Sequence, residues 1–183
     1  MFANLSVATN ADYDYWVQQN FLSSSPRIRS FISNDLYPPV YDGSQPYKSP
    51  LERMRLTTQE YVIACNAVAI GKAYKSTAFN YNFGLPPAIH SQDLLYTYNR
   101  GGSVSVNGSS AFDTTVSIQM QTAFTQFTKK GSPNGPGLVE FPLYDNRSEV
   151  LNFSPSGPQV IREPADNSRC AWWLQAPYAP KPQ

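Results

Sequence analysis

The apolar positions of the chain change their period several times, and each change marks an element. Tyr13, Trp16, Val17, Asn20 and Phe21 recur near the three-and-four spacing of one helix face, behind a cap at Thr9-Asn10-Ala11-Asp12. Ser25-Pro26 opens a second short helix through Ile28, Phe31, Ile32 and Leu36. Tyr37-Pro38-Pro39 ends it, because a residue before proline is steered out of the α region. The Pro/Gly/Ser-rich stretch from Val40 to Pro50 reads as loop. A long helix is predicted from about Leu51 to Lys75, with Leu56, Tyr61, Val62, Cys65, Val68, Ala69 and Tyr74 as its apolar stripe. Ala64, Ala67 and Ala73 raise its propensity.

The period then drops to two. In Ala78 to Phe83, aromatic residues alternate with polar ones, which predicts a strand with Phe79, Tyr81 and Phe83 on one face. Gly84-Leu85-Pro86-Pro87 stops it, and a loop carrying His90 follows. Arg100 to Ser110 is a Gly/Ser/Asn loop. Ala111 to Lys129 returns to helical period through Val116, Met120, Phe124 and Phe127, closed by Lys129-Lys130-Gly131. Ser132 to Gly137 is a turn-rich linker. Short strands are predicted at Glu149 to Phe153 and Gln159 to Arg162, and a last helix at Ser168 to Gln175 with Cys170, Trp172 and Trp173. The proline-containing tail 176–183 is expected to fray. Helices predominate over a few short strands, so these residues cannot close a large sheet alone.

Composition narrows the class. A chain of 183 residues can bury roughly 70% of its unfolded surface, enough for a real core in one domain. Charged residues make up only 15%, against about 25% in typical domains, which argues against a disordered charged tail. Fourteen Lys and Arg against thirteen Asp and Glu leave no basic excess to attract nucleic acid. No run of about 18 apolar residues could form a transmembrane helix. The first residues, MFANLSVATNADYDYW, lack the basic start and apolar run of a signal peptide. Low charge, two cysteines and four Asn-x-Ser sequons, at Asn4, Asn107, Asn146 and Asn152, nevertheless lean toward an oxidising, secretory setting.

Few residues could carry chemistry. One histidine and two distant cysteines do not supply a metal site, and no cofactor is expected. A phosphate-cradling loop is absent, and so is the G-x-S-x-G nucleophile elbow. The nearest approach, Gly101-Gly102-Ser103-Val104-Ser105, lacks the final glycine. His90 remains. By composition alone a lone histidine is a surface or structural residue. A histidine on the loop after a sheet strand, however, is where α/β-hydrolases carry their general base. An imidazole pKa near 6.5 suits it to take and return a proton at neutral pH. The two cysteines, read by themselves, allow either one bridge or two buried thiols.

The segment from Phe79 to Asp93, Phe-Asn-Tyr-Asn-Phe-Gly-Leu-Pro-Pro-Ala-Ile-His-Ser-Gln-Asp, resembles the catalytic-histidine region of type-B carboxylesterases and lipases of the fungal, cholinesterase-related kind. There an aromatic strand and short loop precede His-Gly-x-Asp/Glu; Ser91 stands here where the family usually has glycine. Leu36-Tyr37-Pro38-Pro39-Val40, Phe124 to Asn134, Glu140-Phe141-Pro142-Leu143-Tyr144 and Arg169-Cys170-Ala171-Trp172-Trp173 resemble further family segments in the same order. About Met1 to Gln175 is similar to the family's C-terminal third.

The resemblance implies an α/β class: the C-terminal part of an α/β-hydrolase fold, mostly helices on a few strands of an incomplete sheet, over 1–183 as one domain. It implies a disulfide between Cys65 and Cys170. It implies His90 as general base and then general acid in ester hydrolysis, with Asp93, three residues on, capping or anchoring the histidine loop. Asp12, Asp14 and Asp42 have no spacing that suits a catalytic acid. The nucleophilic serine and the acid would lie upstream of Met1. The expected function is thus a partial carboxylic-ester hydrolase, inactive alone, whose ester substrate needs the missing portion. A full-length member would be secreted. The alternative is a non-catalytic relic or binding module of the same fold.

Overall fold

The computed structural model describes residues 6–74, 77–88, 90–98, 113–175 and 178. They pack as two compact units. One comprises residues up to Ala69 together with those from Pro164 onward, and the other runs from Ile70 to Glu163.

The first unit is helical. Helix α1 (Asn10–Asn20) starts at Thr9, whose hydroxyl accepts from the Asp12 amide while the Asp12 carboxylate accepts back from the Thr9 amide. That reciprocal pair satisfies two of the donors a helix start leaves open. Its buried face is Tyr13, Trp16 and Val17, with Phe21 just beyond; Asn20 is exposed. Helix α2 (Pro26–Phe31) is capped by Ser25 and widens over Ile32–Leu36 into a turn in which the Tyr37 amide reaches back to the Ile32 carbonyl. Such a turn leaves carbonyls without helical partners, and the next helix supplies them.

Helix α3 (Pro50–Gln59) presents Arg53, Met54 and Thr57 inward. The fully buried Arg53 donates through Nε to the Tyr37 carbonyl at 2.7 Å and through its terminal nitrogens to the Ser33 carbonyl and to Asn10. Its guanidinium also lies 3.6 Å from the centroid of the Tyr13 ring. A cation thus closes the carbonyl end of the preceding helix, where the helix dipole favours it.

The predicted long helix does not run unbroken. Glu60–Ala64 form a second widened turn before α4 (Cys65–Ala73). The extra residue rotates the following face. Val62 and Tyr74, expected in the apolar stripe, are exposed, and the polar Arg53, Thr57 and Glu60 are buried. Glu60 accepts from the Tyr37 hydroxyl at 2.5 Å, from Arg169 at 2.8 and 2.7 Å and from Asn167 at 3.1 Å. Arg169 and Asn167 sit at the start of α7 (Ser168–Trp173), whose Trp173 indole donates to the Tyr37 hydroxyl at 2.8 Å. Burial, and then the Glu60 charge, pushes the Tyr37 phenol far above its ordinary pKa. Burial opposes the Arg169 charge, but Glu60 outweighs it and raises the Arg169 pKa.

The Cys65–Cys170 disulfide joins α4 to α7 beside this network, with Cα atoms 5.0 Å apart. Both sulfurs are buried. Of the tail expected to fray, Tyr178 is described: its ring packs on Phe21, Tyr61 and Trp173, and its carbonyl accepts from Ser24.

The second unit holds a three-stranded sheet in the order β1–β2–β3: β1 (Tyr81–Phe83), β2 (Glu149–Ser154) and β3 (Gly157–Arg162). β1 runs parallel to β2, pairing Tyr81 with Leu151 and Phe83 with Phe153; β2 and β3 form an antiparallel hairpin. As the alternation predicted, Phe79, Tyr81 and Phe83 point to one face. With Leu151, Phe153, Leu85 and Phe141 they pack on Tyr96 of α5 (Gln92–Thr97) and on Val116, Met120 and Ala123 of α6 (Thr114–Lys130). Helix α6 stops at Gly131, whose φ of 72° is the left-handed conformation that glycine adopts without a Cβ clash. Gly71, in the last turn of α4, lies so close to Tyr144 that a Cβ there would sit 2.6 Å from the ring.

Candidate functional site

The histidine loop leaves β1 at Gly84 and enters α5 at Gln92. Its start is pinned to the sheet, because the Gly84 amide donates to the Phe153 carbonyl of β2 at 2.8 Å. Leu85 then turns into the aromatic core and is buried. The Ala88 amide closes a turn back to the Leu85 carbonyl at 2.8 Å. From the far side, the buried Gln92 side chain donates to the Pro86 carbonyl at 3.3 Å.

Between these anchors His90 is exposed, and among the described residues its ring has no hydrogen-bond or ion-pair partner. Ala88 and Ser91, on either side, have φ of 51° and 67°. Ser91 is the position where a glycine was the expected residue. Its left-handed backbone supplies the physical reason, since every side chain but glycine's crowds the carbonyl there. Its own side chain makes no capping bond to α5.

Asp93 stands in the first turn of α5, but its carboxylate faces β1. Oδ2 accepts from the Tyr81 hydroxyl at 2.8 Å, tying the strand before the loop to the helix after it. Burial, then the hydrogen bond and charge of Asp93, raises the Tyr81 pKa well above its ordinary value. The other end of α5 is held by α6: the Tyr96 carbonyl accepts from Ser117 at 2.7 Å and from Gln121 at 3.0 Å. The Tyr96 ring meets Phe83 edge-on at 5.2 Å. A six-residue helix is marginal by itself, and these contacts fix it.

The sequence did not reveal Gln92 or the Tyr81–Asp93 pair. Tyr81 is legible as a core aromatic, but nothing in the alternation shows where its hydroxyl points. Asp12 and Asp42 are taken up locally, Asp12 by the Thr9 cap and Asp42 by Ser44. Among the described residues no group of three or more His, Cys, Asp or Glu could hold a metal ion, and no helix is long and apolar enough to cross a membrane. Asn146 is exposed in the turn before β2, whereas Asn152 is half-buried inside β2. Asn4, Asn107 and the 101–110 loop lie outside the described residues.

Helices packed on a sheet whose strands pair parallel and then antiparallel, with a loop after β1 presenting a histidine, define part of an α/β-hydrolase fold. A crystal structure of Aspergillus niger EstA superposes with a TM-score of 0.74 at 18% identity, covering 97% of this chain and 38% of that one. No family model matches the chain. It is 30% identical over 179 residues to the carboxylesterase patB of Penicillium expansum, covering 97% of this chain and 31% of that protein. It is 28% identical over 173 residues to carboxylesterase patB of Aspergillus clavatus, covering 93% and 30% respectively. Rat liver carboxylesterase 1F matches at 29% over 94 residues, 51% of this chain and 16% of that one. The chain is thus similar to carboxylesterases over nearly its whole length, and it spans about 30% of the length of the fungal relatives it matches.

Proposed function

We propose that this chain forms the histidine-bearing portion of a secreted carboxylic-ester hydrolase, with His90 as the base that takes a proton from a serine nucleophile and returns it to the leaving alcohol. The observation that carries the reading is the loop itself. An imidazole stands exposed on a segment anchored to β2 by Gly84 and to α5 by Gln92, with the Tyr81–Asp93 bond tying β1 to α5 on either side of it. A base of this kind needs a fixed position and free access to the nucleophile. It also needs an acid on its other nitrogen. Asp93 is committed to Tyr81, so it serves as the loop's anchor, and the acid comes from elsewhere in the complete site. The similarity to carboxylesterases supports ester hydrolysis as the reaction class.

In the complete hydrolase, the serine attacks the ester carbonyl, His90 accepts the serine proton and donates it to the departing alcoholate, and water then releases the acyl group by the same proton path. In the protein that carries this chain with its serine elbow, His90→Ala should lower kcat on p-nitrophenyl esters by several orders of magnitude while leaving the thermal unfolding temperature nearly unchanged. These 183 residues by themselves should hydrolyse the same esters no faster than a control protein and should not react with a fluorophosphonate. Stoichiometric labelling of the isolated chain at one serine, or full activity of the His90→Ala enzyme, would remove this reading.

A further inference from the structure

The two described sequons are six residues apart, yet the fold treats them in opposite ways. Asn146-Arg147-Ser148 forms the turn that leads into β2. Asp145 closes that turn: its side chain accepts from the Arg147 amide at 2.8 Å, and its carbonyl accepts from the Ser148 amide at 3.0 Å. The Asn146 side chain takes no part in this and stands exposed. Its neighbours are the exposed Arg147 and the carboxylates of Asp145 and Glu149 that Arg147 pairs with. A sugar on Asn146 would lie over a charged, hydrated rim and would displace no packing.

Asn152-Phe153-Ser154 is the middle and end of the central strand. Asn152 stands across from Asn82 on β1 and Gln159 on β3. Its Oδ1 accepts from the Asn82 amide at 2.7 Å. The same oxygen would be 2.9 Å from a Cβ placed on Gly84, the residue from which the histidine loop departs. The side chain on either side of Asn152 in sequence, Leu151 and Phe153, is buried in the aromatic core. A branched sugar on the Asn152 amide nitrogen would crowd the Asn82 side chain paired with it on the same face of the sheet.

We propose that Asn146 is an N-linked oligosaccharide acceptor and that Asn152, although it carries the same motif, is kept unmodified because its half-buried side chain is held against Asn82 of β1 across the sheet. The proposal rests on the secretory part of the function proposed above. Ser148, the hydroxyl of the Asn146 sequon, is buried in the folded turn, so the transfer belongs to the nascent chain.

The test is to send the chain through a eukaryotic secretory pathway behind a cleavable leader and collect the disulfide-bonded product. Peptide-N-glycosidase treatment in ¹⁸O water then marks each formerly occupied asparagine by mass. The expected result is ¹⁸O-aspartate at 146 and plain asparagine at 152. Asn146→Gln should remove one glycan, with the product still secreted, whereas Ser154→Ala, which destroys only the second motif, should leave the glycan pattern unchanged. A glycan on Asn152 in folded, disulfide-bonded protein, or an empty Asn146, overturns the proposal. Failure of the secretory reading is separately visible: protein from its natural source would carry free thiols and no glycan, while the leader-driven product would still decide between the two asparagines.

Discussion

Replacing Glu60 with alanine tests the polar centre of the helical unit. The carboxylate is buried to 3% exposure and accepts four hydrogen bonds, two of them from an Arg169 side chain that is itself only 19% exposed. Removing one member of a buried ion pair typically costs about 3–5 kcal/mol, chiefly because the other charge is left without compensation. Arg169 can reach some water, which points to the lower half of that range. The Tyr37 hydroxyl loses its acceptor but keeps the Trp173 indole as a donor, so it is not wholly orphaned.

The expectation for Glu60→Ala is therefore a loss of about 3–4 kcal/mol. Glu60→Gln keeps the volume and one accepting oxygen, and should cost about 2 kcal/mol, near the value of hydrogen bonds to a charged group. The measurement is urea unfolding at neutral pH with the disulfide intact, followed by the fluorescence of Trp173 in the network. A double-mutant cycle with Arg169→Ala should show the double variant less destabilised than the sum of the singles, with a coupling of about 1–3 kcal/mol. Additive single variants, or a Glu60→Ala loss below about 1 kcal/mol, would mean that the pair is incidental to the fold.

Ser91→Gly should stabilise the protein by about 0.5 kcal/mol, the relief of a left-handed serine being partly offset by glycine's greater freedom when unfolded; a loss on thermal unfolding would contradict the backbone assignment. Separating Cys65 from Cys170, 105 residues apart, with a Cys65→Ser and Cys170→Ser pair should cost about 4–5 kcal/mol in the chain-entropy account, read as a shift of the urea midpoint. Hydrogen bonds lower the pKa of Asp12 (chiefly from Thr9), of Asp42 (from Ser44) and of Asp145 (from the Arg147 amide) below their ordinary 3.8. A depressed carboxylate stabilises the fold above its unfolded pKa and loses that contribution as pH falls through its folded value, so the urea midpoint should drop below about pH 4. Thr9→Ala should make that drop shallower.

Much of the framework is legible in the apolar period. The two short strands at Glu149 to Phe153 and Gln159 to Arg162, the aromatic alternation of Phe79, Tyr81 and Phe83, and the start of α1 at Thr9 are all predicted from the residues, although the pairing of those two strands as a hairpin is not. Gly131 marks the end of α6 for the same kind of reason. What period cannot reveal is a change of helical pitch. Val62, in the widened turn at Glu60–Ala64, is exposed, while Arg53, Thr57 and Glu60 form an inward face at ordinary helical spacing before it. Those residues read as solvent-facing in any hydropathy pattern, because their burial depends on partners as distant as Arg169 and Trp173. The candidate site divides the same way. His90 stands out as a lone histidine in a resembling segment, whereas the anchors Gln92 and Tyr81–Asp93 depend on which atoms face one another across the loop.

The parallel register of β1 on β2 has a kinetic consequence. β2 and β3 are joined by a tight turn, and their pairing can form as soon as those residues meet. Tyr81 meets Leu151, seventy positions further along the chain, only after the intervening segment has been brought round, and a closure that long costs roughly 2 kcal/mol more entropy than a turn of eight residues. Long-range pairings of this kind are formed late. The hairpin is thus the template on which β1 is laid, and Gly84 is seated at the end of that step. In native-state hydrogen exchange, the Gly84 amide should open at lower free energy than the amides shared by β2 and β3. The segment carrying the histidine is then expected to acquire its geometry after the hairpin and to lose it before the hairpin opens.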